Sequence, residues 1–404
     1  MNVLFLTIAG FDSIYQSAIY PDLLREFMKK GHAIYVISPL EKRYGCETEI
    51  KHEENCHILK VKVGNITKSG MIEKGIATLL IESQYKKAVA MHFSDVKFDL
   101  ILYSTPPITL CSVIEFVKKR DGAKTYLLLK DIFPQNAVDI GVITKKGWKG
   151  LIYNFFRNKE KKLYKISDYI GCMSQANVDY VLNHNPELNP ATVEVCPNSV
   201  EIIDMEIGEE TRRNIRKKYD IPLDKKVFIY GGNLGKPQGI GFMIDCLKSQ
   251  EKNKDIFFLI IGDGTEYGKI ENYINSNMPA NVKLMRKIPK EDYDKIVYSC
   301  DVGLIFLDYR FTIPNFPSRL LSYMQAGLPV LAVTDKNTDI GTIIVNGEFG
   351  WWCESKNVDG FDNIIQNIID DKVSVKGING KNYLKSQYTV NIAYEIIAKK
   401  IKWI

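Results

Sequence analysis

The chain has 404 residues, of which 45% are hydrophobic and 25% charged, and carries a net charge of +6. That length exceeds one ordinary core, so two domains are expected. The mild charge, without an aromatic-and-basic RNA motif, argues against a nucleic-acid binder, and no stretch is long enough to span a membrane.

Met1 to Ile8 lacks a basic leader and a small-residue cleavage site, so it reads as a first strand, Val3 to Ile8, of a cytoplasmic protein. The next loop, Ala9-Gly10-Phe11-Asp12, lies at a strand's carboxyl end, where open parallel sheets place their ligands. A helix over Ala18 to Lys30 buries Ile19, Leu23, Leu24 and Phe27; Gly31 ends it, and Ala33 to Ile37 is the second strand. Eight scattered cysteines with no Cys-x-x-Cys suit reduced thiols. Cys46, His52, Cys56 and His57 are zinc-ligand types, but their spacing fits no finger and no metal site is expected. A long helix spans Met71 to His92, and strands follow at Asp99 to Tyr103 and Thr125 to Leu129. Such alternation implies a parallel sheet with helices on both faces.

The last of these strands runs into Lys130-Asp131-Ile132-Phe133-Pro134-Gln135-Asn136, where Asp131 is the only carboxylate. It either faces a ligand or caps a turn before Pro134. Residues 145–165 hold eight basic side chains against one acidic, interleaved with Trp, Tyr and Phe. A helix of this kind suits an anionic membrane surface, or it is a solvated face whose aromatics pack inward; both readings stay open. Tyr169 to Met173 and Val193 to Val195 read as the last strands of this half, and Pro197-Asn198-Ser199 breaks the pattern. Glu209 to Tyr219 is a charged helix opening the second half.

There the alternation restarts. Val227 to Tyr230 is a strand, Gly231 and Gly232 end it, and a helix begins after Gly239. Strand, Gly-rich loop and helix can hold an anion against backbone N–H groups and a dipole end, with Lys236 adding a full charge. The spacing is neither Gly-x-Gly-x-x-Gly nor a P-loop, and a glycine turn that binds nothing stays open as the alternative. Strands are expected at 256–261, Val282 to Met285 and Asp301 to Leu307, with turns at Gly262-Asp263-Gly264 and Arg286-Lys287-Ile288-Pro289. A helix runs to Ala326, Gly327 caps it, and Pro329 bars its continuation.

Gly232-Asn233-Leu234-Gly235-Lys236-Pro237-Gln238-Gly239 resembles the donor-phosphate loop of family 4 glycosyltransferases. It follows the form seen in bacterial surface-polysaccharide enzymes similar to N-acetylfucosamine transferases. Asn233 and Gln238 stand where the common form has Arg and Lys, leaving Lys236 to meet the diphosphate. Asn315-Phe316-Pro317-Ser318-Arg319 matches the subgroup's Pro-Ser-Lys/Arg, and Arg319 is expected to supply the second charge. The family's Glu-x7-Glu motif fails: Pro314 and Ser322 replace the two acids, so Ser322 is left to meet the ribose. Thr338-Asp339-Ile340-Gly341 is expected on a loop that reaches the sugar.

The resemblance implies an α/β GT-B fold: two Rossmann-like domains with parallel sheets facing a central cleft. Its bounds would be 1–200 for the acceptor, 201–388 for the nucleotide sugar, and a tail helix, 389–404, packing back on the first domain. It implies a retaining transfer of sugar from a nucleotide-diphospho-sugar, UDP-sugar favoured, to a lipid-linked glycan. Asp131, Lys236 and Arg319 would carry the chemistry. Gly10, Gly232, Asn233, Gln238, Gly264, Lys287, Ile288, Asn315, Phe316, Ser318 and Ser322 would hold the donor. The loops assigned to the cleft carry no Asp-x-Asp chelating pair, so no metal is expected. In family members with lipid-linked acceptors a segment like 145–165 meets the bilayer, which favours peripheral attachment at the inner membrane face. The rivals are a sugar-nucleotide 2-epimerase on the same fold and a non-catalytic subunit.

Overall fold

The computed structural model describes residues 1–66, 70–370 and 373–401; residues 402–404 of the expected tail lie outside these. The chain divides into two compact units, Met1–Glu201 with the chain from Thr389 onward, and Ile202–Tyr388.

The first unit is built on one sheet. Its strands are β1 (Asn2–Leu6), β2 (Ala33–Glu41), β3 (Glu49–Glu53), β4 (Cys56–Val63), β5 (Leu100–Ser104), β6 (Lys124–Leu129), β7 (Tyr169–Cys172) and β8 (Val193–Val195). They lie in the order β3-β4-β2-β1-β5-β6-β7-β8. All neighbours are parallel except β3 and β4. The β3–β4 hairpin has no counterpart in the sequence reading, because β3 is almost wholly polar and largely exposed. Its presence carries β2 four residues past the expected end, through pairing of Glu41 with Val63. The hairpin also separates the zinc-type residues. His52 and His57 face each other, Nδ1 to Nδ1 at 2.7 Å, whereas Cys56 is fully buried.

Apolar side chains of β1, β2, β5 and β6 meet Leu23, Leu24 and Phe27 of the helix Ile19–Lys29 on one side of this sheet. The helix Val390–Ile401 completes that core with Ala393, Tyr394, Ile397 and Ala398. The Tyr394 ring stands edge-on to Phe27 at 4.8 Å, and its hydroxyl lies 2.9 Å from His32 Nε2.

The second unit has β9 (Lys226–Asn233), β10 (Ile256–Asp263), β11 (Val282–Met285), β12 (Val302–Phe306), β13 (Val330–Thr334) and β14 (Gly350–Glu354), ordered β11-β10-β9-β12-β13-β14 and all parallel. The glycines do not end β9 as expected. Its ladder with β10 continues through Gly232–Gly262 to Asn233–Asp263. Strand order, not strand direction, reverses between β9 and β12, so the loops after these strands frame the crevice where open α/β sheets bind ligands.

Candidate functional site

In the first unit, the loops after β1, β5 and β6 share the carboxyl edge. Gly10 is exposed, and nothing lies within 4 Å of a Cβ added there, so only open approach distinguishes it. Thr105, just past β5, binds the start of the Asp131 loop. Its hydroxyl receives Lys130 N and Asp131 N at 3.0 and 3.1 Å and donates to Asp131 O at 3.0 Å. Both oxygens of the Asp131 carboxylate accept from Asn136 Nδ2, at 2.7 and 2.8 Å, and the Ile132 backbone adds a further contact. Burial pushes the Asp131 carboxyl up to about 6, against the lowering effect of Asn136. Lys130 Nζ reaches Cys196 O at 3.3 Å, and burial brings it down to about 8. Asn136 and Lys130 stand in the quoted run, but no sequence signal marked them; only contact does.

The basic helix Gly147–Ile166 has two characters. Leu163 and Tyr164 are buried, and Phe156 packs on Phe133 at 5.0 Å. Trp148, Leu151 and Phe155, at helical spacing on one face, are 70%, 72% and 44% exposed. Lys161 and Lys162 pair with Glu187 and Glu115.

In the second unit, the 232–239 loop is braced by its own side chains. Gln238 is buried, and its Oε1 accepts from Asn233 Nδ2 at 3.0 Å and from Gly235 N at 3.1 Å. The two residues standing at the family's cationic positions thus hold each other. Lys236 is exposed at the start of the turn Lys236–Gln238. Asp308 N, just past β12, donates to Pro237 O at 2.9 Å, and a Cβ on Gly239 would lie 3.2 Å from Asp308 Cα. The loops on either side of the reversal are thereby tied together. Gly262 and Gly264 serve this packing as well. An added Cβ would meet Gly232 O at 1.9 Å or Leu234 O at 2.3 Å.

Arg319 lies beside this loop. Its Nη2 sits 3.3 Å from where a Cβ on Gly232 would be, and its Cζ is 4.4 Å from the centre of the Tyr230 ring. Nη1 is buried and has no hydrogen-bond partner among the described residues. The helix behind it, Arg319–Gln325, begins with Leu320 N and Leu321 N already bonded to Pro317 O and Ser318 O, at 3.2 and 3.1 Å. Those N–H groups are therefore already engaged within the first turn. Ser318 is exposed and Ser322 half-buried one turn on.

Around these lie the remaining expected residues. Asn315 O accepts from Thr338 Oγ1 at 2.6 Å, while Asn315 Nδ2 is buried without a partner among the described residues. Phe316 is buried near Tyr388, ring centres 6.0 Å apart. Lys287 is exposed and Ile288 half-buried. Lys287 N donates to Asp263 Oδ2 at 3.1 Å, and Arg286 bridges Asp263 Oδ1 and the Tyr267 ring, at 3.1 and 3.5 Å. The stretch 338–341 is only half loop, because Ile340 and Gly341 begin the helix Ile340–Asn346 and Gly341 lies under Trp352. Among the described residues no group of three or more His, Cys, Asp or Glu could hold a metal ion, and no helix is long and apolar enough to cross a membrane.

Residues 211–383 match the family model described as glycosyl transferases group 1. A Pseudomonas aeruginosa protein named as a probable glycosyltransferase, WbjE, is 26% identical over 309 residues, 75% of this chain and 74% of its own. An Escherichia coli protein named for colanic acid biosynthesis, the glycosyl transferase WcaI, is 21% identical over 253 residues, 61% of this chain and 60% of its own. Among solved structures, sucrose-phosphate synthase from Thermosynechococcus elongatus has a TM-score of 0.78 at 14% identity, covering 100% of this chain and 98% of that one. HepE from Anabaena, solved in complex with UDP, has a TM-score of 0.69 at 15% identity, with both chains fully covered. These structures share the fold, GT-B.

Proposed function

We propose that this chain, GT-B in fold and matching the group 1 glycosyl transferase model over residues 211–383, moves a sugar from a nucleotide-diphospho-sugar, UDP-sugar favoured, to a hydroxyl of a lipid-linked glycan. The setting is bacterial polysaccharide synthesis, for which WcaI is named. The second unit takes the donor and the first the acceptor. Transfer proceeds with retention and without metal, and the protein works in the cytoplasm at the inner membrane face.

One observation carries the donor reading: a guanidinium whose buried Nη1 has no hydrogen-bond partner among the described residues lies against the backbone of a glycine loop where the strand order reverses. A leaving diphosphate gains charge as the glycosidic bond breaks, and preorganised donors there stabilise the transition state. Arg319 is the main such donor and Lys236 an auxiliary one, because charge in a partly desolvated site interacts more strongly than charge in open water. The bound forms of HepE, with UDP and with UDP-glucose, support a uridine donor.

Calorimetry with UDP, GDP, dTDP and ADP tests this reading. At least one should bind, and Arg319→Gln should weaken it by about ten- to a hundred-fold, at ~1.4 kcal/mol per decade. Lys236→Ala should cost less. Turnover should survive excess EDTA. No binding of any of the four at millimolar concentration would remove the donor reading, and a loss on chelation that Mn²⁺ restores would remove metal independence.

A further inference from the structure

The hairpin β3–β4 pairs His52 directly with His57 across its two strands. Directly paired residues point to the same side of a sheet, so the two rings share one face. Their Nδ1 atoms lie 2.7 Å apart, and the ring planes stand at 74°. His57 is half-buried and backed by Tyr35, ring centres 4.7 Å apart. Tyr35 in turn stands edge-on to Phe93 and Phe98. His52, on the edge strand, is exposed. One ring is therefore fixed by an aromatic wall, and the other can adjust.

Two ring nitrogens that face each other so closely need something between them. Either one donates a proton to the other, or both give their lone pairs to one cation. A lone pair on each ring requires neutral imidazoles. Burial and the nearby His52 hold His57 below its usual range, which favours its neutral form. Distance then decides which metal fits. With metal–nitrogen bonds of about 2.0–2.1 Å, two imidazoles lie about 2.9 Å apart at a right angle and about 3.3 Å apart at the tetrahedral angle. The observed 2.7 Å is nearer the first. Right-angle pairs belong to tetragonal sites, which nickel and copper take and zinc does not favour. Cys56 plays no part: it alternates to the other face and is buried with Val36 and Ile58.

The same hairpin holds the loop after β1. Glu53 Oε2 accepts from Ser13 Oγ at 2.9 Å and from Ile14 N at 2.7 Å. Lys51 Nζ donates to Asp12 O at 3.1 Å. Lys51 and Glu53 flank His52, and β4 is the only strand neighbour of β3. Whatever strengthens that pairing therefore also fixes residues 12–14.

We propose that His52 and His57 form a two-imidazole site for a nickel- or copper-class divalent ion, with water completing its coordination. The bound ion clasps β3 to β4 and, through Lys51 and Glu53, steadies the 12–14 loop. This site is independent of the donor reading.

Ni²⁺ is the probe, because it does not oxidise the exposed thiol of Cys46. Calorimetry on the full chain, tag-free and stripped with EDTA, should show Ni²⁺ bound more tightly than Zn²⁺. His52→Gln changes an exposed side chain and should weaken Ni²⁺ by about tenfold or more, as should His57→Gln. Cys46→Ser, His92→Gln and His184→Gln should each leave the affinity within about twofold, since none removes a ligand. Amide hydrogen exchange reads the clasp. Saturating Ni²⁺ should slow exchange at Ile14 and across residues 49–53 in wild type, and not in His52→Gln. No Ni²⁺ binding at millimolar concentration overturns the proposal, and so does equal binding by wild type and His52→Gln. Tighter binding of Zn²⁺ overturns the tetragonal assignment. Ni²⁺ bound without slower exchange at Ile14 overturns the clasp.

Discussion

Asp131 and Arg319 are opposite charges treated alike by the fold: each is partly desolvated and oriented by neutral groups. Asp131 has Asn136 and the Ile132 backbone on its carboxylate and no cation, among the described residues, and burial lifts it to about 6. The sign of the consequence follows from linkage. An acid whose folded pKa exceeds its unfolded value of 3.8 binds its proton more tightly in the folded state. That stability is complete below pH 3.8 and is lost as pH rises through about 6. At about 1.4 kcal/mol per pKa unit the loss is of order 2–3 kcal/mol. In Asp131→Asn this window should flatten. The urea midpoint, followed by fluorescence at pH 4, 5, 6 and 7, reads it, and a parallel pH dependence in wild type and variant would show that Asp131 stays in water. If Asp131 also serves the reaction as a carboxylate, activity should fall below pH 6 over the same range.

At the scale of elements, the helix Gly147–Ile166 resolves what its sequence left open. Residue types allowed either an inward-packed aromatic face or an outward one, and the helix has both. Phe156, Leu163 and Tyr164 pack inward, while Trp148, Leu151 and Phe155 face solvent near Lys145, Lys146 and Lys149. The charges farther along are partly committed, with Lys161 and Lys162 on carboxylates. Membrane docking should therefore depend on the first two turns. Each basic side chain near an anionic surface contributes about 1 kcal/mol, and partial burial of a large apolar side chain about as much again. Flotation with vesicles of phosphatidylglycerol and phosphatidylcholine should capture the protein, less at high salt. Trp148→Ser with Leu151→Ser should abolish capture, whereas charge reversal at Lys161 and Lys162 should have little effect. Equal recovery with neutral and anionic vesicles would mean that this face is only solvated.

At the scale of the whole chain, the first unit is not complete until residue 389 and beyond. Tyr394, buried against Phe27 and hydrogen-bonded to His32, closes a core whose other members come from the first strands and helix. Truncating a buried aromatic costs about 3–5 kcal/mol. Tyr394→Ala should accordingly lower the melting temperature of the first unit and leave UDP binding by the second within about twofold. Thermal unfolding with and without UDP separates the two readouts, and an unchanged melting profile would show that the last helix adds no stability.

The alternation of apolar runs and amphipathic segments determined the fold class by itself. A strand buried on both faces needs a continuous apolar run and a covering helix needs a one-sided stripe, and both periods are local in the chain. On those grounds Val282–Met285 was legible to the residue, and Met71–His92 was read as one long helix. Strand β3 was not legible, because an exposed edge strand can be almost wholly polar and leaves no pattern; β4, with its buried apolar positions, was not read as a strand either. The glycine loop and Arg319 were legible as types that hold anions. Tertiary structure alone decided that Asn233 and Gln238 spend their polar groups on each other, that Gly262 and Gly264 let two strand ends approach, and that the Tyr230 ring lies against the Arg319 guanidinium. Apart from the Asn233–Gln238 pair, five residues apart, those facts depend on distances between residues 30 to about 90 positions apart, such as Gly262 and Gly232 or Arg319 and Tyr230. No local period encodes such distances; they exist only once the sheet has set its register.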